Sequence, residues 1–165
     1  EHLGRRAAAL KRRLRRPLVL EQISTYAIMP GSSLDEGQFV RAVLEYADAG
    51  LLLDLNNVHV NACNHGVDPE AMMRALPLER VAYVHLAGHS VDGDRLLDSH
   101  DAPVDDAVWS LYATFVREFG PVPTLLEWDA KIPDLSVVLA EVAKIRDVQA
   151  NAVGAVVSRS PEAIP

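Results

Sequence analysis

The sequence predicts an α/β fold, a TIM-type (β/α) barrel represented by about four βα units, on three observations. Four short apolar runs occur along the chain, each is followed by a helical pattern, and successive runs start about 30 to 42 positions apart. The runs are Leu18 to Glu21, Leu51 to Leu55, Val81 to Leu86 and Pro123 to Trp128. Unbroken apolar stretches of this length are what parallel strands buried in a sheet require.

Ahead of the first run, Leu3, Ala7, Leu10 and Leu14 recur at steps of 4, 3 and 4 and predict an amphipathic helix. Arg5, Arg6, Lys11, Arg12, Arg13, Arg15 and Arg16 crowd the same region, a run that can bind nucleic acid or head a targeting peptide but here reads as a solvated helix face. After the first strand, Ser33-Leu34-Asp35-Glu36 has capping-box spacing. Phe39, Val40, Val43, Leu44 and Ala47 then form one apolar stripe, and Gly50 is the expected stop. After the second strand, Asp68-Pro69 predicts an N-cap with proline in the first turn.

The third strand leads through a long polar loop to a helix beginning near Asp105, with Val108, Leu111, Tyr112, Phe115, Val116 and Phe119 facing inward and Gly120 ending it. Following the fourth, Asp134 precedes Leu135, Val138, Leu139, Val142 and Ile145 at helical spacing. Residues 1–148 are thus the expected barrel segment, and residues 149–165, which show no convincing period, are expected to form a frayed or disordered tail.

Composition narrows the functional classes. With 165 residues, 49% apolar and 24% charged, the chain can bury a real core, although a complete eight-stranded barrel needs roughly 250 residues. The net charge is −7 despite the basic start, so the chain after Pro17 is strongly acidic, which argues against nucleic acid as the main partner. A single cysteine, Cys63, excludes an internal disulfide and makes the reducing cytoplasm the expected compartment. No apolar run approaches the roughly 20 residues that span a bilayer, and no Gly-rich phosphate loop is present. Cys63 lies near His65, but one Cys near one His is weak evidence for a nucleophile, so Cys63 is read as structural filling and no catalytic residue is assigned.

The candidate chemistry lies where the strands end. Leu-Val-Leu-Glu21, Leu-Leu-Leu-Asp54, Tyr-Val-His85 and Leu-Leu-Glu127 each finish in a side chain able to bind metal. In parallel α/β folds, sites form at the carboxyl ends of strands, so these groups should converge. Between positions 59 and 100 lie His59, His65, His85, His89 and His100, and Asp98-Ser99-His100 can aim a carboxylate and an imidazole at one centre. His59 and His65, on what reads as a mobile connection, are candidates for ligands or for groups that orient loops or contact substrate. Gathering Glu21, Asp54, Asp98 and Glu127 without a counterion would raise carboxylate pKa values by repulsion and desolvation, and a bound cation removes that conflict. Oxygen and nitrogen ligands without thiolate suit iron, manganese or zinc, and carboxylates able to bridge allow more than one ion.

Five ordered motifs carry a family resemblance: Leu53-Asp54-Leu55-Asn56-Asn57-Val58, Asn64-His65-Gly66-Val67-Asp68, His85-Leu86-Ala87-Gly88-His89, Asp98-Ser99-His100-Asp101-Ala102-Pro103-Val104 and Glu127-Trp128-Asp129. From about Leu18 to about Val142 the chain resembles the multinuclear non-haem iron-dependent oxidative enzymes, typified by the methanobactin-biosynthesis iron enzyme and long catalogued as a domain of unknown function. The resemblance implies a (β/α) barrel holding two or three iron ions that activate dioxygen and oxidise a ribosomally made peptide, often at cysteine. A partner protein commonly presents the peptide in such systems. By motif it implies Glu21, Asp54, His85, Asp98, His100 and Glu127 as iron ligands, with Asn57, His89 and Asp129 as further ligands or their supports.

Two departures qualify the match. Glu21-Gln22-Ile23-Ser24-Thr25-Tyr26 stands where the family has Glu-Asn before a Ser-Ser-Tyr-like turn, so a differently shaped loop is expected. The chain also resembles only strands five to eight, so a missing N-terminal half-barrel is expected to complete the site. Two other readings compete: a zinc or manganese barrel of the sugar isomerase or endonuclease type, and a half-barrel binding module without catalysis.

Overall fold

All four apolar runs become parallel strands of one sheet. In the computed structural model, which describes residues 1–28 and 30–157, the elements are α1 (His2–Leu14), β1 (Val19–Glu21), α2 (Glu36–Ala47), β2 (Gly50–Asp54), α3 (Leu55–His65), α4 (Pro69–Ala75), β3 (Val81–Leu86), β4 (Ser90–Asp92), β5 (Arg95–Leu97), α5 (Asp106–Phe119), β6 (Thr124–Leu126) and α6 (Leu135–Val157). The main sheet runs β1-β2-β3-β6, all parallel, with Leu20 opposite Leu51, Leu53 opposite Val84 and Leu86 opposite Leu126.

Side chains alternate across a strand, so each register assigns two faces. Leu51, Leu53, Val84 and Leu86 share one face and are each 0% exposed, packed with Leu44, Val58, Met73, Val108, Tyr112 and Phe115 from the helices. The opposite face carries Glu21, Leu52, Asp54, Tyr83, His85 and Leu125. Sequential strand order with right-handed crossovers puts successive helices on the same side of a sheet, which leaves the second face for the site. The sheet is open: among the described residues β1 and β6 each have one unpaired edge, and closure into a barrel is not seen.

Several local expectations are corrected. The capping box of α2 is made by Asp35 and Gln38 rather than Ser33 and Glu36: Gln38 N–H donates to Asp35 Oδ1 at 2.8 Å and Asp35 N–H to Gln38 Oε1 at 3.2 Å. The helix ends at Asp48 in the left-handed region (φ 48°), and Gly50 opens β2 instead of stopping α2. The connection expected to be mobile after β2 is the helix α3, capped by Asp54 and closed by Gly66 at φ 67°. The polar loop after β3 contains the hairpin β4–β5, turning at Gly93 with φ 62°.

Asp68, Asp105 and Gly120 act as the expected helix boundaries, but Phe119, expected inside, is 48% exposed and stacks on Phe115. Likewise Leu135 and Leu139 point largely to solvent while Ile145 is buried. Residues 149–157, expected to belong to the tail, are helical in α6, and Gln149 Nε2 donates to Tyr112 Oη at 2.8 Å and Val122 O at 3.0 Å. Residues 158–165 of that expected tail lie outside the described residues. Among the described residues no helix is long and apolar enough to cross a membrane.

The predicted amphipathic stripe of α1 is only partly covered: Gly4 and Ala7 are buried on α2, but Leu3, Leu10 and Leu14 remain about half exposed, Leu3 and Leu10 beside Phe39. Leu125 on β6 and Leu139 on α6 are likewise more than half exposed. Unpaired strand edges next to apolar patches favour association. The 165-residue chain alone should therefore self-associate in sedimentation velocity; a single monomeric species with a cooperative thermal transition would show that these surfaces need no cover.

Candidate metal centre

The fold brings all four strand-end groups together. Glu21, Asp54, His85 and Glu127 each offer one ligand atom within 4.8 Å of the others. His85 Nδ1 lies 2.8 Å from Glu127 Oε2 and 3.9 Å from Glu21 Oε1. Asp54 is fully buried; its Oδ1 accepts from Asn57 N–H at 2.8 Å and so caps α3, whereas its Oδ2 is buried without a partner. Burial pushes the Asp54 carboxyl up to about 7, against the opposing pull of the Asn57 N–H and His100. Burial also raises Glu21, reinforced by Glu127 and Asp98 and opposed by His85 and His100.

A second group, His100, Glu127 and Asp129, shares Glu127 with the first. His100 Nδ1 is 3.5 Å from Glu127 Oε2 and 3.4 Å from Asp129 Oδ2, while its Nε2 is 2.6 Å from Asp98 Oδ1. The Asp98 hydrogen bond raises His100 to about 9 despite burial. Burial opposes ionisation of Asp98, but hydrogen bonds from His100, Asn56 and Ser24 outweigh it and hold the carboxyl below its usual range. Backbone contacts hold His100 at φ 48°: its N–H donates to Gly88 O at 3.1 Å and its carbonyl accepts from Asp129 N–H at 2.8 Å. Gly88 is required there, since a Cβ would collide with the carbonyls of Ala102 and Pro103.

These residues fit a cation on structural grounds. Three carboxylates and an imidazole are crowded together, and the most buried carboxylate has an unpartnered oxygen. An unpaired buried charge of this kind is costly, and a metal ion both pairs the oxygen and relieves the repulsion among the acids. Glu127 belongs to both groups.

Other candidates take different places. Asn57 supports Asp54 through its N–H and donates from Nδ2 to Gln22 O at 3.0 Å. His59 lies against the His89 ring at 5.1 Å between centroids, with Cys63 Sγ 3.7 Å from its Nε2. His89 Nδ1 pairs with Asn56 Oδ1 at 2.9 Å, and His65 Nε2 meets Thr25 O at 2.9 Å. None of His59, His65 and His89 joins either ligand group. Cys63, expected to fill the core, is exposed.

What the sequence reading missed is how thoroughly α3 organises the site. Asn56 Nδ2 donates to Asp98 Oδ1 at 2.7 Å, Asn61 grips the segment after β1, and Asn64 pairs with both backbone groups of Leu96 at 2.9 Å. Gln22 departs from the family pattern yet binds the Asp54 backbone on both sides, with Nε2 2.5 Å from its carbonyl. The loop after it still delivers Ser24 and Tyr26 to Asp98. Four asparagines between Asp54 and Gly66 were the available signal.

In the metal-free protein the native state keeps a proton on Asp54 between its ordinary 3.8 and about 7, so this group makes stability fall as pH rises through that window. One proton limits the slope to about 1.4 kcal/mol per pH unit. His100 acts above that range: its contribution is complete below 6.5 and is lost as pH rises through about 9. Denaturant melts at about pH 5 and about pH 7 should show a steeper loss for the wild type than for Asp54→Asn. Parallel slopes for the two proteins would contradict the assignment of a buried, protonated Asp54.

The family described as the RiPP precursor modification enzymes MbnB/TglH/ChrH matches residues 1–150. A UPF0276 protein of Paraburkholderia phytofirmans is 45% identical over 156 residues, covering 92% of this chain and 51% of the relative. A UPF0276 protein of Pseudomonas aeruginosa is 53% identical over 137 residues, covering 82% and 48%. One from Anaeromyxobacter is 45% identical over 154 residues, covering 93% and 54%. The chain thus spans about half the length of the curated relatives it matches. With the family match extending over most of its length, the chain belongs to the MbnB/TglH/ChrH family of RiPP precursor modification enzymes.

Proposed function

We propose that this chain contributes the strand-end ligands of a two- or three-iron centre that oxidatively modifies a ribosomally made peptide, often at cysteine, using dioxygen in the cytoplasm. The observation that carries this reading is the buried, unpartnered Asp54 Oδ2 beside Glu21, His85 and Glu127, in a chain of a peptide-modifying family. A closed (β/α) barrel completed by an N-terminal half would cover the open face of the sheet, and a partner protein would present the peptide.

In this reading Glu21, Asp54, His85 and Glu127 would hold one ion, and His100, Asp129 and the shared Glu127 would serve a second with Asp98 beside them. Iron held by these carboxylates and imidazoles can exchange electrons with dioxygen, which zinc in the same ligands cannot. The protein's own part is orientation and charge control. Asp98 holds His100 through Nε2, which leaves Nδ1 directed to Glu127 and Asp129. Asp54 must give up its proton for an ion to bind, so affinity rises with pH up to about 7. Ile23 after β1, Val91 in the hairpin strand β4 and Ile132 after β6, each about two-thirds exposed, offer apolar contacts to a peptide.

Metal content tests the ligand set: in the complete protein, Glu21→Ala and Asp54→Ala should lower bound metal sharply in elemental analysis, whereas His59→Ala and His65→Ala should not. Unchanged content in the first pair removes those acids from the centre, and an inability of the wild type to bind metal favours a binding module. Reconstitution distinguishes the chemistry. Loaded anaerobically with iron(II) and then aerated with a cysteine-containing candidate peptide, the protein should take up oxygen and release oxidised peptide. Equal turnover with zinc(II) and no oxygen uptake would replace the oxidative reading with a hydrolase or isomerase.

A further inference from the structure

Asn61 is fully buried on α3, yet it touches no member of either ligand group. Its carboxamide closes on the segment that follows β1: Oδ1 accepts from Thr25 N–H at 2.6 Å, and Nδ2 donates to Ile23 O at 3.1 Å. The same Nδ2 lies 3.2 Å from both Glu36 oxygens at the start of α2. His65, one turn further along α3, adds its Nε2 to Thr25 O at 2.9 Å. One buried side chain thus engages the main chain on both sides of Ser24, as a neighbouring strand would.

The residues so held reach Asp98, the partner of His100 in the second group. Ser24 Oγ donates to Asp98 Oδ2 at 3.1 Å, and Tyr26 Oη accepts from Asp98 N–H at 3.0 Å. Asp98 Oδ1 is already occupied by Asn56 and His100, so Ser24 and Tyr26 provide the grip on its other carboxylate oxygen and on its backbone. Groups that orient a ligand must themselves be fixed, or the ligand drifts from its productive geometry.

We propose that Asn61 is a positioning residue for Asp98, acting at a distance through residues 23–26; its effect on metal rests on the reading of Asp98 as part of the centre. Asn61→Asp keeps the acceptor for Thr25 but turns the donor into a second anionic oxygen facing Ile23 O and Glu36, so residues 23–26 should lift from α3. Thr25→Pro removes the loop's own donor and leaves α3 intact, which keeps the question open to test should Asn61→Asp fail to fold.

Hydrogen exchange of the full chain, resolved to the Asp98 amide, reads positioning without metal. Either variant should speed Asp98 exchange on the order of tenfold while β2 and β3 stay protected. Adding Tyr26→Phe should produce no further increase, since both changes release the same contact. Cobalt(II), titrated anaerobically and followed by its absorption, should bind about tenfold more weakly to Asn61→Asp, a loss in the range expected for groups that support a ligand. An Asp98 amide unchanged in the variants, or additive effects with Tyr26→Phe, would overturn the proposal. If exchange is coupled as expected but Asp98→Asn binds cobalt as the wild type does, Asp98 is positioned by Asn61 and its reading as a ligand fails.

Discussion

The structure is organised around a conflict that apolar burial creates and cannot resolve: Asp54 ends a strand whose preceding leucines drive it into the interior, where its charge is disfavoured. Capping α3 satisfies one oxygen and leaves the other buried and unpaired. Glu21 and Glu127 arrive at the same place by the same sheet geometry, which concentrates like charge instead of dispersing it. A fold that needed only stability would be served by apolar residues at these positions. A cation is the partner that makes sense of acids retained here.

Around this centre, the supporting polar groups are arranged in two tiers. His85 bridges Glu21 and Glu127, and Asp98 fixes His100, so each imidazole is set by carboxylates. Further out, carboxamides do the holding: Gln22 joins the ends of β1 and β2, while Asn56, Asn57, Asn61 and Asn64 connect α3 to the segment after β1, to Asp98 and to the β4–β5 hairpin. A carboxamide donates and accepts at once without adding charge. That suits a region already overloaded with anions.

The strand ends were legible because apolar runs finishing in Glu, Asp or His make a strong local pattern, and parallel topology then dictates convergence at one edge of the sheet. Asp68 and Asp105 were legible as caps for a similarly local reason. α3 was not, since asparagine is a poor helix former and only the tertiary partners of Asn56, Asn57, Asn61 and Asn64 justify its presence. The hairpin had a local signal in Gly93-Asp94, masked by the polarity of its surroundings. His59 and His65 were open between ligands and groups that orient loops or contact substrate; on the helix α3 they face Cys63 and Thr25. The end of α6 escaped the hydrophobic period because Gln149 docks through its amide.

Anomalous diffraction at the iron edge from anaerobically iron-loaded complete protein tests the central claim most directly. A peak within bonding distance of Asp54 Oδ2 and shared with Glu21, His85 and Glu127, joined by a second near His100, is the predicted result. Absence of any anomalous peak at Asp54 in protein that retains iron elsewhere would contradict it.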